Sequence, residues 1–282
     1  MKDWSILYRG SLSSCNYDCD YCPFGKTKNT RAELTEDAKA LRKFVDWVAS
    51  QKAKIGMLFT PWGEALIRKY YQEALTELSH LPQVRKVAIQ TNLSCSTAWM
   101  AQVNKATFAL WTTYHPTQIS REKFLQRCRA LDELQISYSV GVVGFKEEIE
   151  EIKALRAALP SHIYLWINAY KRVPNYYTTR DIAQLKAIDP LFQYNLQYHP
   201  SLGKSCKTGE SVFTVDGNGE AQRCHFIKQR IGNIYEKDFE KHLYRRSCSA
   251  KECGCHIGYV HLEELRLYEV FGEGVLERIP RV

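Results

Sequence analysis

The sequence predicts an α/β fold: a partial (β/α)6 TIM-like barrel that ends in a small cysteine-rich extension. Three observations carry this reading. Short apolar segments alternate with amphipathic, helix-spaced ones six times between residues 5 and 168, which implies parallel βα units. The pattern changes near residue 190, beyond which glycines and half of the ten cysteines gather. The other notable cysteine group follows the first strand directly.

The first strand is SILYR (5–9), followed by a cysteine-bearing loop and a helix over 33–51 with apolar Leu41, Phe44, Val45 and Val48 at helical spacing. IGMLF (55–59) is the second strand, and a helix runs through Tyr70 and Leu78. VRKVAIQ (84–90) and FALWTTY (108–114) are the third and fourth, the latter followed by a helix over 121–134. SYSVGVV (137–143) precedes a helix rich in Glu and Ala, and IYLWIN (163–168) is the sixth strand. Residues 1–190 thus form the barrel and 191–282 the extension. Within the extension, SVFTVDGNGEAQRC reads as a hairpin turning at DGNG. Its few apolar residues leave it little core of its own.

Composition narrows the class. The 45% hydrophobic and 25% charged fractions are those of a globular protein, and no uncharged apolar run is long enough to span a bilayer. The start, MKDWSILYRG, lacks the apolar stretch of a signal peptide. A cytoplasmic chain with reduced thiols is therefore expected, and ten cysteines there point to metal or redox chemistry. The net charge of +8 comes from scattered basic residues without interleaved aromatics, so nucleic acid is not an expected partner. An acidic electron-donor protein is compatible with that charge.

CNYDCDYC places Cys15, Cys19 and Cys22 in the spacing CxxxCxxC, with no fourth cysteine before Cys95. Closed zinc and iron–sulfur sites take four protein ligands. Three thiolates suit a 4Fe-4S cluster whose fourth iron stays open to a small molecule. The bland alternative is half a zinc site or a redox pair at Cys19 and Cys22.

The same segment resembles the CxxxCxΦC signature of the radical S-adenosylmethionine superfamily, with Tyr21 as the aromatic before the last cysteine. The resemblance implies that S-adenosylmethionine completes the open iron and yields a 5′-deoxyadenosyl radical. Further segments fit at strand ends. In TPWGEAL, Gly63 and Glu64 resemble the GGE motif that meets the methionine ammonium, with Trp62 where that motif has its first glycine. Thr91, Asn92 and Ser94 of QTNLS resemble the cofactor-side segment after the third strand. Thr113 and His115 end the fourth strand, Gly144 the fifth and Asn168 the sixth. For each alone, a turn or cap is the simpler account; their recurrence at strand ends favours the cofactor side. Tyr114, Trp166, Tyr170 and His225 are further candidates for lining the cavity.

The extension resembles the SPASM and twitch appendages of that superfamily. Cys206, twelve residues, Gly219, four residues and Cys224 match their opening, and Cys248, Cys253 and Cys255 follow. The resemblance implies one auxiliary 4Fe-4S cluster, for which Cys206, Cys224, Cys253 and Cys255 are the expected ligands. A structural zinc site on the same thiols is the alternative. Cys248 is left over as a candidate hydrogen-atom donor, an arrangement similar in outline to neomycin C epimerase and peptide epimerases. Spread over nearly the whole chain, the segments also resemble a bacterial radical S-adenosylmethionine family without an assigned function.

The reading that follows is a radical enzyme acting on an unactivated C–H bond of a peptide or aminosugar-like natural product, by epimerisation. An oxidative reaction, dehydrogenating or cross-linking, is the second reading, and a non-catalytic metal or redox sensor the third. A flavodoxin- or ferredoxin-type electron donor is the implied protein partner.

Overall fold

The computed structural model describes residues 2–281. The first part runs β1 (Asp3–Arg9), α1 (Arg31–Ser50), β2 (Lys54–Phe59), α2 (Lys69–His80), β3 (Val84–Thr91), β4 (Phe108–Tyr114), α3 (Arg121–Glu133), β5 (Ser137–Gly144), α4 (Ile149–Ala158) and β6 (Leu165–Ala169). Each strand lies within two residues of its expected position. α1 begins where the sequence signals it: Thr30 and Glu33 form a capping box, each side chain accepting from the other's backbone N–H. Its buried face is Leu41, Phe44, Val45 and Val48, together with Asp37.

β1 to β6 pair in sequence order, all parallel. Alternation along the strands divides the residues into two sets. Ile6, Met57, Val87, Leu110, Val140 and Ile167 belong to the large core that includes the apolar faces of α1 to α4. Leu7, Leu58, Ala88, Ala109, Trp111 and Trp166 form a separate cluster inside the curved sheet.

After α5 (Thr179–Ile188) and α6 (Phe192–Leu196) come the short strands β7 (His199–Pro200) and β8 (Ser205–Cys206), then β9 (Val212–Asp216), β10 (Glu220–Cys224) and β11 (Ile227–Asn233). The expected hairpin is present as β9 and β10, but it does not stand apart. β9 pairs parallel with β1, and β10 and β11 follow antiparallel, giving the order β11-β10-β9-β1-β2-β3-β4-β5-β6. This satisfies the edge that β1 would otherwise leave open, and Phe213, Val215, Ala221 and Ile231 join the main core. An apolar-poor segment gains stability by extending an existing sheet.

The last part comprises β12 (Arg246–Ser247), β13 (Glu252–Cys253), α7 (His256–Tyr259) and α8 (Leu267–Phe271). It returns to fill the inside of the sheet. Ile257 and Leu276 pack with Leu7, Trp111 and Trp166. Ser139 Oγ donates to the Glu277 carbonyl at 2.7 Å, and Lys86 pairs with the buried Glu277 carboxylate at 3.0 Å. Among the described residues, no helix is long and apolar enough to cross a membrane.

Trp166 lies flat over Gly141 of the neighbouring strand, where an added Cβ would come within 1.9 Å of its ring. Replacing Gly141 by Ala is expected to destabilise the fold by roughly 1–3 kcal/mol through overpacking. A denaturant melt of the purified variant measures it.

Candidate functional site

The cysteine loop is tied to the strand ends by buried polar groups. The Asp37 carboxylate accepts from Ser11 N at 2.8 Å, Leu12 N at 3.1 Å and Tyr70 Oη at 2.9 Å. Asn29 Oδ1 accepts from Ser13 N and Ser14 N, both at 2.9 Å. Glu64 N donates to the Ser14 carbonyl at 3.1 Å. The contact is so close that a Cβ on Gly63 would stand 1.9 Å from that carbonyl oxygen. The glycine requirement therefore falls on Gly63. Trp62 points outward, packing on Phe24 at 4.4 Å and under the Arg9 guanidinium at 4.2 Å, so the departure from the GGE pattern costs the loop contact nothing.

Cys15, Cys19 and Cys22 line one cavity of about 140 Å³ with Gly63, Glu64, Thr91, Asn92, Thr113 and His115. Burial raises the Cys15 thiol and takes Cys19 to about 11, and their neighbouring thiols add to both. Glu64 is buried, and its carboxylate accepts from Leu66 N at 2.9 Å, Thr91 Oγ1 at 2.9 Å and Asn92 N at 2.6 Å. Burial lifts its carboxyl to about 6, against the pull of these hydrogen bonds. The bonds occupy two sites on Oε1 and one on Oε2, leaving Oε2 with a free acceptor position.

On the far wall, Tyr21 Oη and His115 Nδ1 lie 2.7 Å apart, and Cys19 Sγ lies 3.5 Å from the same nitrogen. Burial lowers His115 to about 4, so its ring is neutral at pH 7. Ser94 sits beside the cavity, donating to Asn16 Oδ1 at 3.2 Å. Gly144 is not brought in: it faces the outer layer, against Ile167 and Tyr177. Asn168 is exposed at the end of β6. Tyr114 also departs from expectation. Strand alternation turns it outward, where its hydroxyl donates to Glu151 at 2.9 Å. Trp166 lies inside the barrel. Tyr170 packs against Phe145. His225 Nε2 meets Thr60 Oγ1 at 3.0 Å, and burial takes it down to about 3.

The extension gathers a second group of thiols. β12 pairs with β8, setting Arg246 opposite Cys206, and β13 pairs with β7, setting Cys253 opposite His199. Cys248 N donates to the Lys204 carbonyl at 2.8 Å. The buried Arg223 guanidinium clamps this region through Ser247 O, Arg246 O and Thr208 Oγ1. Burial raises the Cys224 thiol, with Cys206 and Cys248 as its thiol neighbours. Burial also raises Cys253 to about 12, with Cys224, Cys255 and Cys206 nearby.

Cys255 differs in being exposed, although burial among neighbouring groups still raises its thiol. The cations beside it are Lys171, Arg278 and Arg9. These three basic residues were not legible as site residues, since single Lys and Arg positions carry no spacing signal.

All ten cysteines are unpaired. Among the described residues, no three Cys, His, Asp or Glu side chains converge tightly enough to hold a single metal ion. A four-iron cluster is compatible with wider spacing, because each thiolate binds its own iron. The donor set at Cys15, Cys19 and Cys22, facing an open cavity, fits such a group.

The fold is shared with solved structures. The chain resembles native anSMEcpe with bound AdoMet at a TM-score of 0.56 and 14% identity, covering 84% of this chain and 82% of that one. The same protein with bound AdoMet and the Cp18Cys peptide gives 0.55 and 14%, covering 85% and 81%. BtrN in complex with AdoMet and 2-DOIA aligns over 86% of each chain at 18% identity, but its TM-score is 0.37, too low to bear on the fold. No family model and no curated relative match the sequence.

Glu64 links this site to stability. Its folded value of about 6 lies above the ordinary 4.5. Protonation therefore favours the folded state: the stabilisation is full below about pH 4.5 and is lost as pH rises through 6. Its size is about 2 kcal/mol. In the metal-free protein, Glu64→Gln is expected to remove this component from unfolding curves measured between pH 4 and 8.

Proposed function

We propose that the protein is a radical S-adenosylmethionine enzyme that takes hydrogen from an unactivated C–H bond of a peptide or aminosugar-like substrate. The observation that carries the reading is the shared cavity: three thiols and the buried Glu64 carboxylate face one open space at the strand ends. A 4Fe-4S cluster held there with S-adenosylmethionine supplies a 5′-deoxyadenosyl radical. In this reading Cys15, Cys19 and Cys22 each hold an iron. Glu64 Oε2 offers its remaining acceptor position to the methionine ammonium, while Thr91 and Asn92 fix the carboxylate's orientation. Tyr21, Ser94, Thr113 and His115 form or flank the cavity wall. Residues 1–190 provide this centre, and 191–282 an auxiliary one.

We take Cys206, Cys224, Cys248 and Cys253 as the auxiliary ligands, because Cys206 and Cys248 both act on Cys224; Cys255, which also acts on Cys253, is the alternative fourth ligand. In this reading the spare thiol is the exposed Cys255 rather than Cys248. For epimerisation, Cys255 S–H donates a hydrogen atom to the substrate radical on the face opposite abstraction. The resulting thiyl radical returns to the thiol by taking up one electron and one proton. A flavodoxin- or ferredoxin-type donor supplies that electron and the one that cleaves S-adenosylmethionine.

Anaerobic reconstitution is expected to give about eight iron and eight sulfide per chain, as two four-iron clusters require. Replacing Cys15, Cys19 and Cys22 together by Ala should remove about half. Cys248→Ala should lose the auxiliary cluster and Cys255→Ala should keep it; the opposite result restores Cys248 as the spare. Zinc in the second site would refute the auxiliary cluster.

With a strong reductant, 5′-deoxyadenosine should form, and Glu64→Gln should weaken cofactor binding by roughly 1.5–3 kcal/mol. In heavy water an epimerised product gains one deuterium at the inverted carbon, and Cys255→Ala abolishes that product while 5′-deoxyadenosine still appears. A product two hydrogens lighter, without deuterium, establishes the oxidative reaction instead.

A further inference from the structure

Arg278 is a buried guanidinium in an unusual setting. It is 2% exposed, yet among the described residues its Nε has no hydrogen-bond partner. Its head group lies 4.5 Å from the Trp166 ring centre and 5.5 Å from that of Trp111, inside the barrel. The carboxylate whose charge reaches it, Asp189, is engaged elsewhere, accepting from Tyr164 Oη at 2.6 Å, Ile167 N at 2.8 Å and Leu191 N at 2.9 Å. Arg278 also holds a left-handed backbone, φ 57°, which a non-glycine residue adopts at a cost. Charge, missing partner and backbone strain coincide at one residue, beyond what packing alone calls for.

A second cation lies nearby. Lys171 follows β6 and donates to the Gly254 carbonyl, next to Cys255, while its ammonium sits 4.8 Å over the Tyr198 ring. Trp111, over which Arg278 lies, meets the His256 ring at 5.5 Å, so Arg278 and Lys171 flank the Gly254–His256 segment that carries Cys255. Arg9 stands at the end of β1, its Nε donating to the Thr60 carbonyl at 2.7 Å. Around them the half-exposed rings of Tyr198 and Phe226 pack on the Cys253–Gly258 segment.

We propose that Lys171 and Arg278, with Arg9 beside them, anchor an anionic group of the substrate, a carboxylate or a phosphate, inside the barrel next to Cys255. The proposal rests on the reading of Cys255 as the hydrogen donor that faces the substrate, and adds the chemistry that selects that substrate. A planar guanidinium pairs with either anion through two parallel N–H donors. Water is largely excluded around Arg278, so the attraction is screened less than at the surface. Burial holds Lys171 and Arg9 below their ordinary values, the penalty an arriving anion relieves. Such an anchor fixes the substrate's orientation relative to Cys255.

Calorimetric titration of the anaerobically reconstituted protein with inorganic phosphate, and separately with acetate, tests this. One or both are expected to bind, and the preferred anion identifies the phosphate or the carboxylate class. Lys171→Gln and Arg278→Gln should each weaken binding on the order of tenfold, and Arg278→Lys should lose less. Because Arg278 is buried, its variants count only where the circular dichroism matches wild type, while the half-buried Lys171 provides the independent reading. No binding by wild type, or binding unchanged in Lys171→Gln, overturns the anchor and leaves these cations as counter-charges for the cluster thiolates. Labelling of Cys255 by iodoacetamide in the same samples is scored separately. A Cys255 that resists labelling refutes the spare-thiol assignment, while the phosphate and acetate titrations still decide the anchor.

Discussion

The ends of β2 and β3 are joined beneath the cysteine loop by one carboxylate. Glu64 is held by two backbone N–H groups and the Thr91 hydroxyl, and its own backbone N–H holds the loop through Ser14. A buried carboxylate of this kind is tolerated because three of its four acceptor positions are filled. Filling them fixes where Thr91, Asn92 and the cysteine loop sit relative to one another. The absence of a side chain at Gly63 lets the two backbones meet. The thiols thus take their positions from the strand ends rather than from the loop's own structure.

The other half of the architecture follows from the open edge of β1. Pairing β9 with that edge carries Cys224 and His225, at the end of the hairpin, to the side of the barrel where Thr60 and Arg9 lie. The chain then turns back through β12 and β13 and fills the barrel with Ile257 and Leu276. The second thiol group is therefore built against the sheet, through β9 and β10. Contrary to the expectation of little core in the extension, Cys206, Tyr259, Val260, Leu262, Leu267, Phe271 and Val275 form a buried cluster of their own, while Phe213 and Val215 join the main core.

Polar groups inside the barrel carry a cost that its apolar layers offset. Lys86 and Glu277 compensate each other at 3.0 Å, and Arg223 is satisfied by backbone carbonyls. Arg278 lies against the Trp111 and Trp166 rings, and among the described residues its Nε finds no acceptor. Compensation is thus uneven within one interior.

The sequence by itself determined the six strands, the helices between them, the DGNG hairpin and the cluster-loop spacing, because periodicity and turn chemistry act over a few residues. Gly63, Glu64, Thr91 and Asn92 were marked by resemblance to family motifs, and the periodicity placed them at strand ends. Only the tertiary structure decided that the hairpin pairs with β1 and that Tyr114 and Gly144 face outward. It alone set Lys171 against Gly254 and Arg278 over Trp111 and Trp166. The physical reason is the same in each case. Which edge a strand joins, and which charges meet inside a barrel, are settled by burial and closure across the whole chain, and no local pattern records them.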